Sequence, residues 1–258
     1  DILAERYPDL PVSISSEVSP SMGEYERTST TVINSYLKPA AEQYLTSLKE
    51  GLQDHGFEGS ILLMFSHGGL VPREDTIERP IGLIESGPVS GLIGSRFIGD
   101  HVERENIVST DMGGTTFKVG VIWQDRIDYA DEPMVGRYHY QFPKRDVHSI
   151  PLAGGSIVSI DPETNVPEIG PESAGSDPGP ICYGRGGEQP TITDVDLVKG
   201  YFNPEFFLGG DRSMAPEVAR DVFAEKIAQP LDREPVQAAA DIYKLANSMI
   251  ADLIRKTT

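Results

Sequence analysis

A glycine- and threonine-rich turn between two β-forming segments contains the residues best suited to chemistry. The segment reads Ile-Val-Ser-Thr-Asp-Met-Gly-Gly-Thr-Thr-Phe-Lys-Val-Gly-Val-Ile over residues 107–122. This pattern predicts a β-hairpin, in which Gly113 and Gly114 let the backbone approach a ligand closely and adopt positive φ. Thr115 and Thr116 add hydroxyl donors beside backbone N–H groups, the ingredients of a phosphate-binding nest. The alternative is an ordinary hairpin with a glycine turn.

Two charged residues flank this turn. Asp111 closes the first segment, where a carboxylate can hold Mg²⁺ through water or orient an attacking group, so it is a candidate for catalysis and for metal binding. Lys118 lies in the second segment and is a catalytic candidate, because an ammonium group can contact a phosphate as a point charge. The alternative for Lys118 is a solvent-facing position on a strand.

A second glycine-rich turn, Ala153-Gly154-Gly155-Ser156, leads into a strand. It predicts nucleotide contacts from Gly154, Gly155 and Ser156. The alternative is a turn without a ligand, since most turns of this composition are only turns.

Three further residues suggest a metal site. Asp146 and His148 share a face of an extended segment, because side chains two apart point the same way. A carboxylate and an imidazole suit a metal or proton-transfer site, which Cys182 would join as a thiolate ligand of Zn²⁺. The alternatives are a hydrogen-bonded structural pair and a buried structural cysteine.

Apolar spacing predicts the elements that position these residues. From Glu24 to about His55 it is helical, with Pro39 expected to divide the segment into two helices. A small-residue helix is expected within 76–104, and an ordered loop with little regular structure over 161–190. Later helices are predicted at Ala215–Ala228 and Val236–Ile254. Strands are predicted at Val12–Val18, Ile61–Phe65, Ile107–Asp111, Phe117–Trp123, Tyr138–Phe142 and Ile157–Ile160.

Composition excludes several classes of protein. The 258 residues carry a formal net charge of −18, which argues against nucleic-acid and anionic-membrane partners. An apolar content of 38% is typical of a globular protein. No apolar run reaches about 18 residues, so no membrane span is expected. The single cysteine excludes an internal disulfide framework and fits a reducing compartment, so a cytoplasmic protein is expected.

Several motifs in fixed order resemble those of one known family. Ser86-Gly87-Pro88 opens the small-residue helix and is followed by the Asp111–Thr116 turn and then Ala153–Ile157. The most specific motif is the block at 170–187, Gly-Pro-Glu-Ser-Ala-Gly-Ser-Asp-Pro-Gly-Pro-Ile-Cys-Tyr-Gly-Arg-Gly-Gly. The other motifs are Glu26–Val32, Pro190-Thr191-Ile192-Thr193-Asp194 and Phe207-Leu208-Gly209-Gly210. Together they resemble the hydantoinase A/oxoprolinase family, within the superfamily of actin-like ATPases.

The resemblance implies an α/β protein with a partial actin-like ATPase (ribonuclease H-like) fold and a β-rich second lobe. It implies use of ATP with Mg²⁺ or Mn²⁺, and a second large subunit of the hydantoinase B type. Family members are longer, so we expect this chain to be a piece of a longer one. Residues 1–105 would end the first lobe and carry the connecting helix. Residues 106–258 would form the second lobe, with the phosphate-binding hairpin and the C-terminal helices.

Three functions follow from the resemblance. The first is phosphorylation of a substrate carbonyl oxygen within a ketone carboxylase of the acetone or acetophenone type. The second is ATP-dependent cleavage of a cyclic amide such as a hydantoin or 5-oxoproline. The third is a non-catalytic scaffold lobe with a decayed nucleotide site, because Lys118 stands where the superfamily usually has an Asp. Lys118 and the aromatic segment Tyr138–Phe142 favour the carboxylase, with a ketone rather than a cyclic amide as substrate.

Overall fold

The computed structural model describes residues 2–7 and 10–258 and divides the chain into two compact units. Unit one comprises residues 1–109 and 120–147, and unit two comprises residues 110–119 and 148–258. The boundary predicted at residue 105 therefore differs from the observed one, because residues 120–147 return to unit one. None of the helices within 2–7 and 10–258 is long and apolar enough to cross a membrane.

Unit one begins with helices. The small-residue helix α5 (Ser86–His101) follows a tight 3₁₀ turn at Pro80–Leu83. This helix confirms the one predicted within 76–104. The elements are α1 (Ile2–Arg6), α2 (Ser15–Val18), α3 (Glu24–Asp54), β1 (Leu62–Met64), β2 (Leu70–Pro72), α4 (Arg73–Glu78) and α5 (Ser86–His101). Strands β1 and β2 form an antiparallel hairpin with Leu63 opposite Val71.

The predicted strand at Val12–Val18 is wrong. Residues 11–14 have no regular structure, and Ser15–Val18 form helix α2. Val12 and Ile14 are 37% and 48% exposed, so their alternation with polar residues does not mark the buried face of a sheet.

Helix α3 runs without a break, although two helices separated at Pro39 were predicted. The proline lacks the N–H that would donate to the carbonyl of Ser35, four residues earlier. Pro39 and Ser35 are both exposed, so water can hydrogen-bond to that carbonyl and the helix continues.

The next strands connect the two units along the chain. Strands β3 (Ile107–Met112) and β4 (Phe117–Ile122) form the predicted hairpin, and each continues from one unit into the other. The short strands β5 (Met134–Val135) and β6 (Tyr138–His139) pair in unit one, so only the first part of the predicted Tyr138–Phe142 strand forms.

Two apolar clusters form the core of unit one. One joins α5 to the segments on either side of β5 and β6, through Val89, Leu92 and Ile122. The other joins α2 to the 3₁₀ turn, through Val18, Ile81 and Tyr140. Beside them, the ammonium of Lys144 forms a buried ion pair with the carboxylate of Glu85.

Unit two packs strands against helices. Its elements are β7 (His148–Ile150), β8 (Ser156–Ile160), β9 (Pro167–Ser173), α6 (Ile192–Val198), α7 (Pro216–Phe223) and α8 (Pro235–Thr257). A π-helical turn, Ala224–Ala228, extends α7 as far as the predicted end of that helix. Strand β4 lies between β3 and β7, and β8 pairs with β9. The core lies between the β8–β9 ribbon and the three helices, where Val158, Phe223 and Ile242 are buried.

The expected irregular loop at 161–190 contains strand β9. Pro167 and Pro171 lack the N–H that a strand residue donates, so prolines in a sequence argue against a strand, and β9 was not predicted. A two-stranded ribbon tolerates them because one edge of each strand needs no partner. Residues 161–166 and the residues after Ser173 form the irregular parts of this segment.

Asp196 on α6 is a half-buried carboxylate whose Oδ1 accepts no hydrogen bond within the described part of the chain. Burial raises its pKa to about 6, and the nearby Lys199 ammonium opposes that rise. The charged form of this side chain is therefore disfavoured by folding.

We expect Asp196→Asn to make the fold more stable near neutral pH. The folded protein holds the Asp196 proton up to a pH of about 6, whereas an unfolded aspartate loses it near about 3.9, so stability falls as pH rises through this window. Urea unfolding should give a higher midpoint for the variant at a pH of about 7.5, with the two midpoints converging near about pH 4. A difference that does not change with pH would contradict this assignment.

Candidate nucleotide-binding site

The tip of the β3–β4 hairpin presents a row of hydrogen-bond donors. Gly113 N–H closes the turn by donating to Thr116 O at 3.2 Å. The N–H groups of Gly114, Thr115 and Thr116 donate to no acceptor in residues 2–7 and 10–258, and neither do the two threonine hydroxyls. Because consecutive unpaired N–H groups in a turn attract anions, this tip has the chemistry of a phosphate site.

The glycines of the tip allow a ligand to approach the backbone closely, but they do not adopt an unusual backbone conformation. Neither Gly113 nor Gly114 has positive φ, so that part of the prediction is wrong. A Cβ at Gly114 would meet no atom of the described residues within 4 Å, and one at Gly113 would only reach Thr116 O at 4.0 Å. The tip therefore leaves room on its outer side for a group that must come close to the backbone.

Asp111 and Lys118 each lie two residues from the tip, on its two strands. Asp111 is exposed near the end of β3, as predicted. Lys118 lies opposite Ser149 of β7, between the buried Phe117 and Val119, so its side chain projects from the other face of the sheet. Neither residue forms an ion pair in the described part of the chain.

The second glycine turn holds the first one in place. Gly154 N–H donates to Gly113 O at 3.3 Å, and Gly155 N–H donates to Gly114 O at 2.7 Å. The two predicted nucleotide-binding turns thus lie together in unit two. Both N–H groups of the second turn are used by the hairpin, so ligand contacts from Gly154 and Gly155 stay a prediction that other atoms of these residues would have to fulfil.

Both positions of the second turn require glycine because atoms of other residues lie where a side chain would begin. A Cβ on Gly155 would lie 2.7 Å from Gly114 O and 2.9 Å from Ser173 Oγ. A Cβ on Gly154 would lie 2.9 Å from Thr193 Oγ1. Any larger residue at Gly155 must displace the hairpin tip, because the nearest atom there is backbone.

Ser156 is fully buried and closes its own turn. Its hydroxyl accepts from Ala153 N–H at 2.8 Å, and its N–H donates to Ala153 O at 3.0 Å. The predicted nucleotide contact from Ser156 is therefore replaced by a structural role, since its donor and acceptor face inwards.

A buried carboxylate that sequence reasoning did not single out anchors this arrangement. Asp194 is 0% exposed and accepts four hydrogen bonds: from Thr191 N–H and Thr191 Oγ1–H at 2.9 Å each, from Ile181 N–H at 3.3 Å and from Cys182 N–H at 2.8 Å. Thr191 and Asp194 form the capping box that starts α6. The Thr-x-x-Asp spacing before an apolar helix was the signal available in the sequence.

Helix α6, which Asp194 fixes, is hydrogen-bonded to the second glycine turn. Thr193, in its first turn, donates from both its N–H and its hydroxyl to Gly154 O, each at 2.8 Å. Gly155 O accepts from Ala174 N–H at 2.9 Å, just past the end of β9. The second turn is therefore fixed by α6 on one side and by β9 on the other.

The structure shows no three-ligand metal site at the predicted residues. Within residues 2–7 and 10–258, no group of three or more His, Cys, Asp or Glu side chains is arranged to hold a metal ion. Asp146 belongs to unit one, and His148 begins β7 in unit two. Asp146 and His148 each have an interaction partner within the protein.

Cys182 is a core residue rather than a ligand. It is fully buried in an apolar cluster with Ile181, Leu197 and Met214. Burial raises the pKa of its thiol well above the ordinary value, and the Asp194 carboxylate adds to this effect. No group of three or more potential ligands includes Cys182 in residues 2–7 and 10–258, so the Zn²⁺ prediction for this residue has no support in the structure.

The fold and the hairpin together define an α/β protein of the actin-like ATPase class. The nucleotide-free structure of acetone carboxylase superposes with a TM-score of 0.86 at 31% identity, over 94% of this chain and 34% of that one. The chain belongs to the Hydantoinase/oxoprolinase family, whose profile matches residues 27–258. This confirms the family expected from the sequence motifs.

Two further relatives come from different branches of the family. The acetophenone carboxylase gamma subunit of Aromatoleum aromaticum is 34% identical over 99% of this chain and 36% of its own length. The crystal structure of the ATP-dependent caprolactamase from Pseudomonas jessenii gives a TM-score of 0.75 at 33% identity, covering 99% of this chain and 37% of that one. The chain thus spans about a third of the length of these relatives.

Alanine substitutions in the two glycine turns should distinguish a glycine needed for folding from a glycine needed for ATP binding. Gly155→Ala must move the hairpin tip, so we expect both lower stability and weaker ATP binding. Gly114→Ala adds a methyl group to open space, so stability should change by less than about 0.5 kcal/mol while ATP affinity falls about tenfold or more. Isothermal titration with ATP and urea unfolding measure the two quantities.

The matched control for these variants is Gly91→Ala on α5, where a Cβ also meets nothing within 4 Å. It should leave ATP affinity unchanged. Full ATP affinity in folded Gly114→Ala would exclude close approach of a phosphate to this tip.

Removing the Asp194 carboxylate should destabilise unit two. Asp194→Ala leaves four buried donor groups without their acceptor, which should lower the free energy of unfolding by about 3 kcal/mol or more. Urea unfolding measures the change, with Asp221→Ala on the exposed side of α7 as a carboxylate control. A loss no larger than that of the control would show that the hydrogen bonds of Asp194 are not needed.

Proposed function

We propose that the full-length protein uses ATP to phosphorylate a substrate carbonyl oxygen, as one component of a ketone carboxylase of the acetone or acetophenone type. The observation that carries this proposal is the hairpin tip, whose three consecutive N–H groups and two hydroxyls are unpaired in the described residues. Backbone donors fixed before the ligand arrives are the usual source of charge stabilisation in phosphoryl transfer.

Each part of the hairpin has a role in this proposal. The N–H groups of Gly114, Thr115 and Thr116 bind the β- and γ-phosphate oxygens, and the hydroxyls add two further donors. Lys118 supplies positive charge near the same oxygens. The γ-phosphoryl group passes to the enol or imidic oxygen of the substrate, which loses its proton, while ADP leaves with the electrons of the broken P–O bond.

Asp111 is the proposed Mg²⁺ or Mn²⁺ residue. Mg²⁺ is usually held by one or two carboxylates together with waters and substrate phosphates, so a single exposed carboxylate beside a phosphate site fits this ion. When bound, the metal neutralises phosphate charge. Asp111 would be the protein residue that holds this ion.

We place a ketone before a cyclic amide as the substrate because two ketone carboxylases align with nearly the whole chain. Their sequence identities to it are 34% and 31%. The caprolactamase covers 99% of it at 33% identity, which keeps cyclic-amide cleavage as the second candidate. A decayed scaffold lobe is the third candidate, and absence of ATP binding by the full-length protein would favour it.

We also propose a second large subunit of the hydantoinase B type as partner. The acetophenone carboxylase relative is named as a subunit, and so is the caprolactamase subunit alpha of Pseudomonas jessenii, 34% identical over 97% of this chain. Because this chain spans about a third of such relatives, the partner must be tested with the full-length protein.

ATP hydrolysis stimulated by substrate is the expected activity. The full-length protein with its partner subunit should hydrolyse Mg-ATP faster with acetophenone or acetone than with caprolactam or 5-oxoproline. Asp111→Ala should reduce the stimulated rate about a hundredfold or more, as the loss of a charge-stabilising group does in other enzymes. Phosphate release measures both effects.

Asp221→Ala on α7 is the matched control, since it removes an exposed carboxylate of unit two that is not part of the hairpin. It should leave the stimulated rate unchanged. If only the cyclic amides stimulate ATP hydrolysis, the protein is an amidohydrolase component and the carboxylase proposal is rejected. No ATP binding by the wild-type protein would reject both enzymes.

A further inference from the structure

A pocket of about 620 Å³ in unit one has an arginine in its wall. Its volume lies in the range of small-molecule sites, about 300–1,000 Å³. All of its lining residues belong to unit one, and none of them is part of the hairpin tip. The proposed phosphoryl transfer assigns no role to this pocket.

The guanidinium group of Arg79 is available to a ligand of this pocket. Arg79 is half-buried, and its side chain forms no hydrogen bond or ion pair with another residue of 2–7 and 10–258. Its backbone N–H donates to Asp75 O at 3.1 Å at the end of α4, so the backbone is held without help from the side chain. A partly desolvated cation without a partner is stabilised by an anion that accepts hydrogen bonds from it.

His67 gives the same pocket a neutral hydrogen-bond donor. Its Nδ1 accepts from Gly69 N–H at 3.0 Å, which places the proton of the neutral ring on Nε2. Burial lowers the pKa of His67, and the positive charges of Arg145 and Arg79 lower it further. The imidazole therefore stays neutral beside two cations, and the potential around it is positive.

No neighbouring carboxylate balances this positive charge through a direct contact in the described part of the chain. Arg145 donates from Nε to His67 O at 3.0 Å and from Nη1 to Ile127 O at 2.7 Å, and its Cζ lies 4.0 Å from the centroid of the Tyr129 ring. Asp131 is the acidic residue of the pocket lining, but it is exposed, so water weakens the effect of its charge. A chain with a net charge of −18 thus contains a pocket of positive potential, which favours an anionic ligand.

An aromatic wall limits the kind of anion that fits. Phe65 and Phe142 meet edge to face at 5.9 Å between ring centroids, and the His67 ring stacks on Phe142 at 6.3 Å. Val71 of β2 also lines the pocket. This surface suits an aryl ring. One guanidinium in the lining matches one negative charge, whereas a phosphate ester with two charges would be only partly compensated.

We infer that this pocket binds a small aryl monocarboxylate, with its ring on the Phe65–Phe142 wall and its carboxylate accepting from the Arg79 guanidinium. The planar guanidinium can bind both carboxylate oxygens through two parallel hydrogen bonds. His67 Nε2–H supplies a further donor. The inference concerns binding alone, and it does not depend on the use of ATP by the protein.

The first test compares benzoate with benzamide, which has the same ring and a similar shape but no charge. Binding to the full-length protein is measured by isothermal titration at neutral pH. The wild type should bind benzoate about tenfold or more tighter than benzamide. Arg79→Gln should weaken benzoate binding about tenfold or more and benzamide binding by less than about threefold, because only the anion loses its counter-charge.

Two variants control for charge. Arg220→Gln on α7 changes the net charge by the same amount in unit two, so it should leave benzoate affinity unchanged. Asp131→Asn removes the negative charge of the lining, so benzoate should bind as tightly as to the wild type or more tightly. Equal affinities of the wild type for benzoate and benzamide, or no benzoate binding at all, would overturn the anionic ligand class.

A pocket-filling variant tests the location and holds if Arg79→Gln fails to fold. Val71→Phe should weaken benzoate binding about tenfold or more. Adjacent strand residues point to opposite faces, so Leu70→Phe adds the same bulk on the other side of β2 and should change the affinity by less than about twofold. Unchanged benzoate affinity in folded Val71→Phe and Arg79→Gln would overturn the site itself.

ATP binding is titrated with the same samples. Loss of benzoate binding in Arg79→Gln with ATP affinity retained would show that the variant is folded and that the two sites are separate. Absence of ATP binding by a wild-type protein that binds benzoate would reject the proposed function and leave this pocket standing.

Discussion

The buried Asp194 carboxylate is the constraint on which unit two depends. An isolated anion removed from water is strongly destabilised, and it is tolerated here because four donors surround it. Those donors come from the residue that starts α6 and from the 3₁₀ turn at Ile181–Tyr183. One side chain therefore fixes the direction of a helix and the course of the loop before it.

That fixed helix determines where the tip of the β3–β4 hairpin lies. Thr193 holds Gly154 O, and the N–H groups of Gly154 and Gly155 hold the carbonyls of the tip. The carbonyls of Gly113 and Gly114 are thus used for structure, while the N–H groups that follow them are left unpaired. Because other groups bind these carbonyls, the unpaired N–H groups are oriented before any anion arrives, and the proposed phosphoryl transfer relies on this preorganisation.

Local patterns allowed the hairpin, its flanking Asp111 and Lys118, and the helices α5 and α8 to be predicted from the sequence. Contacts between segments far apart in the chain could not be read in this way. Gly155 reads as a flexible turn residue, yet it is glycine because Gly114 O lies where its Cβ would be. Cys182 reads as a possible ligand until its apolar neighbours are known. Helix α3 passes through Pro39 because the affected carbonyl faces solvent, a property of packing rather than of sequence.

The acidic composition of the chain also explains why the tip must be so well arranged. A net charge of −18 repels a polyphosphate at long range, but salt screens this repulsion beyond about 8–10 Å. Within that distance the local groups decide, and these are three backbone N–H dipoles, two hydroxyls and the unpaired Lys118 ammonium. They provide one full positive charge, fewer than a nucleotide triphosphate carries as negative charges. In the proposed function a divalent cation at Asp111 would offset part of the remaining negative charge, and this deficit is why a metal is proposed beside the tip.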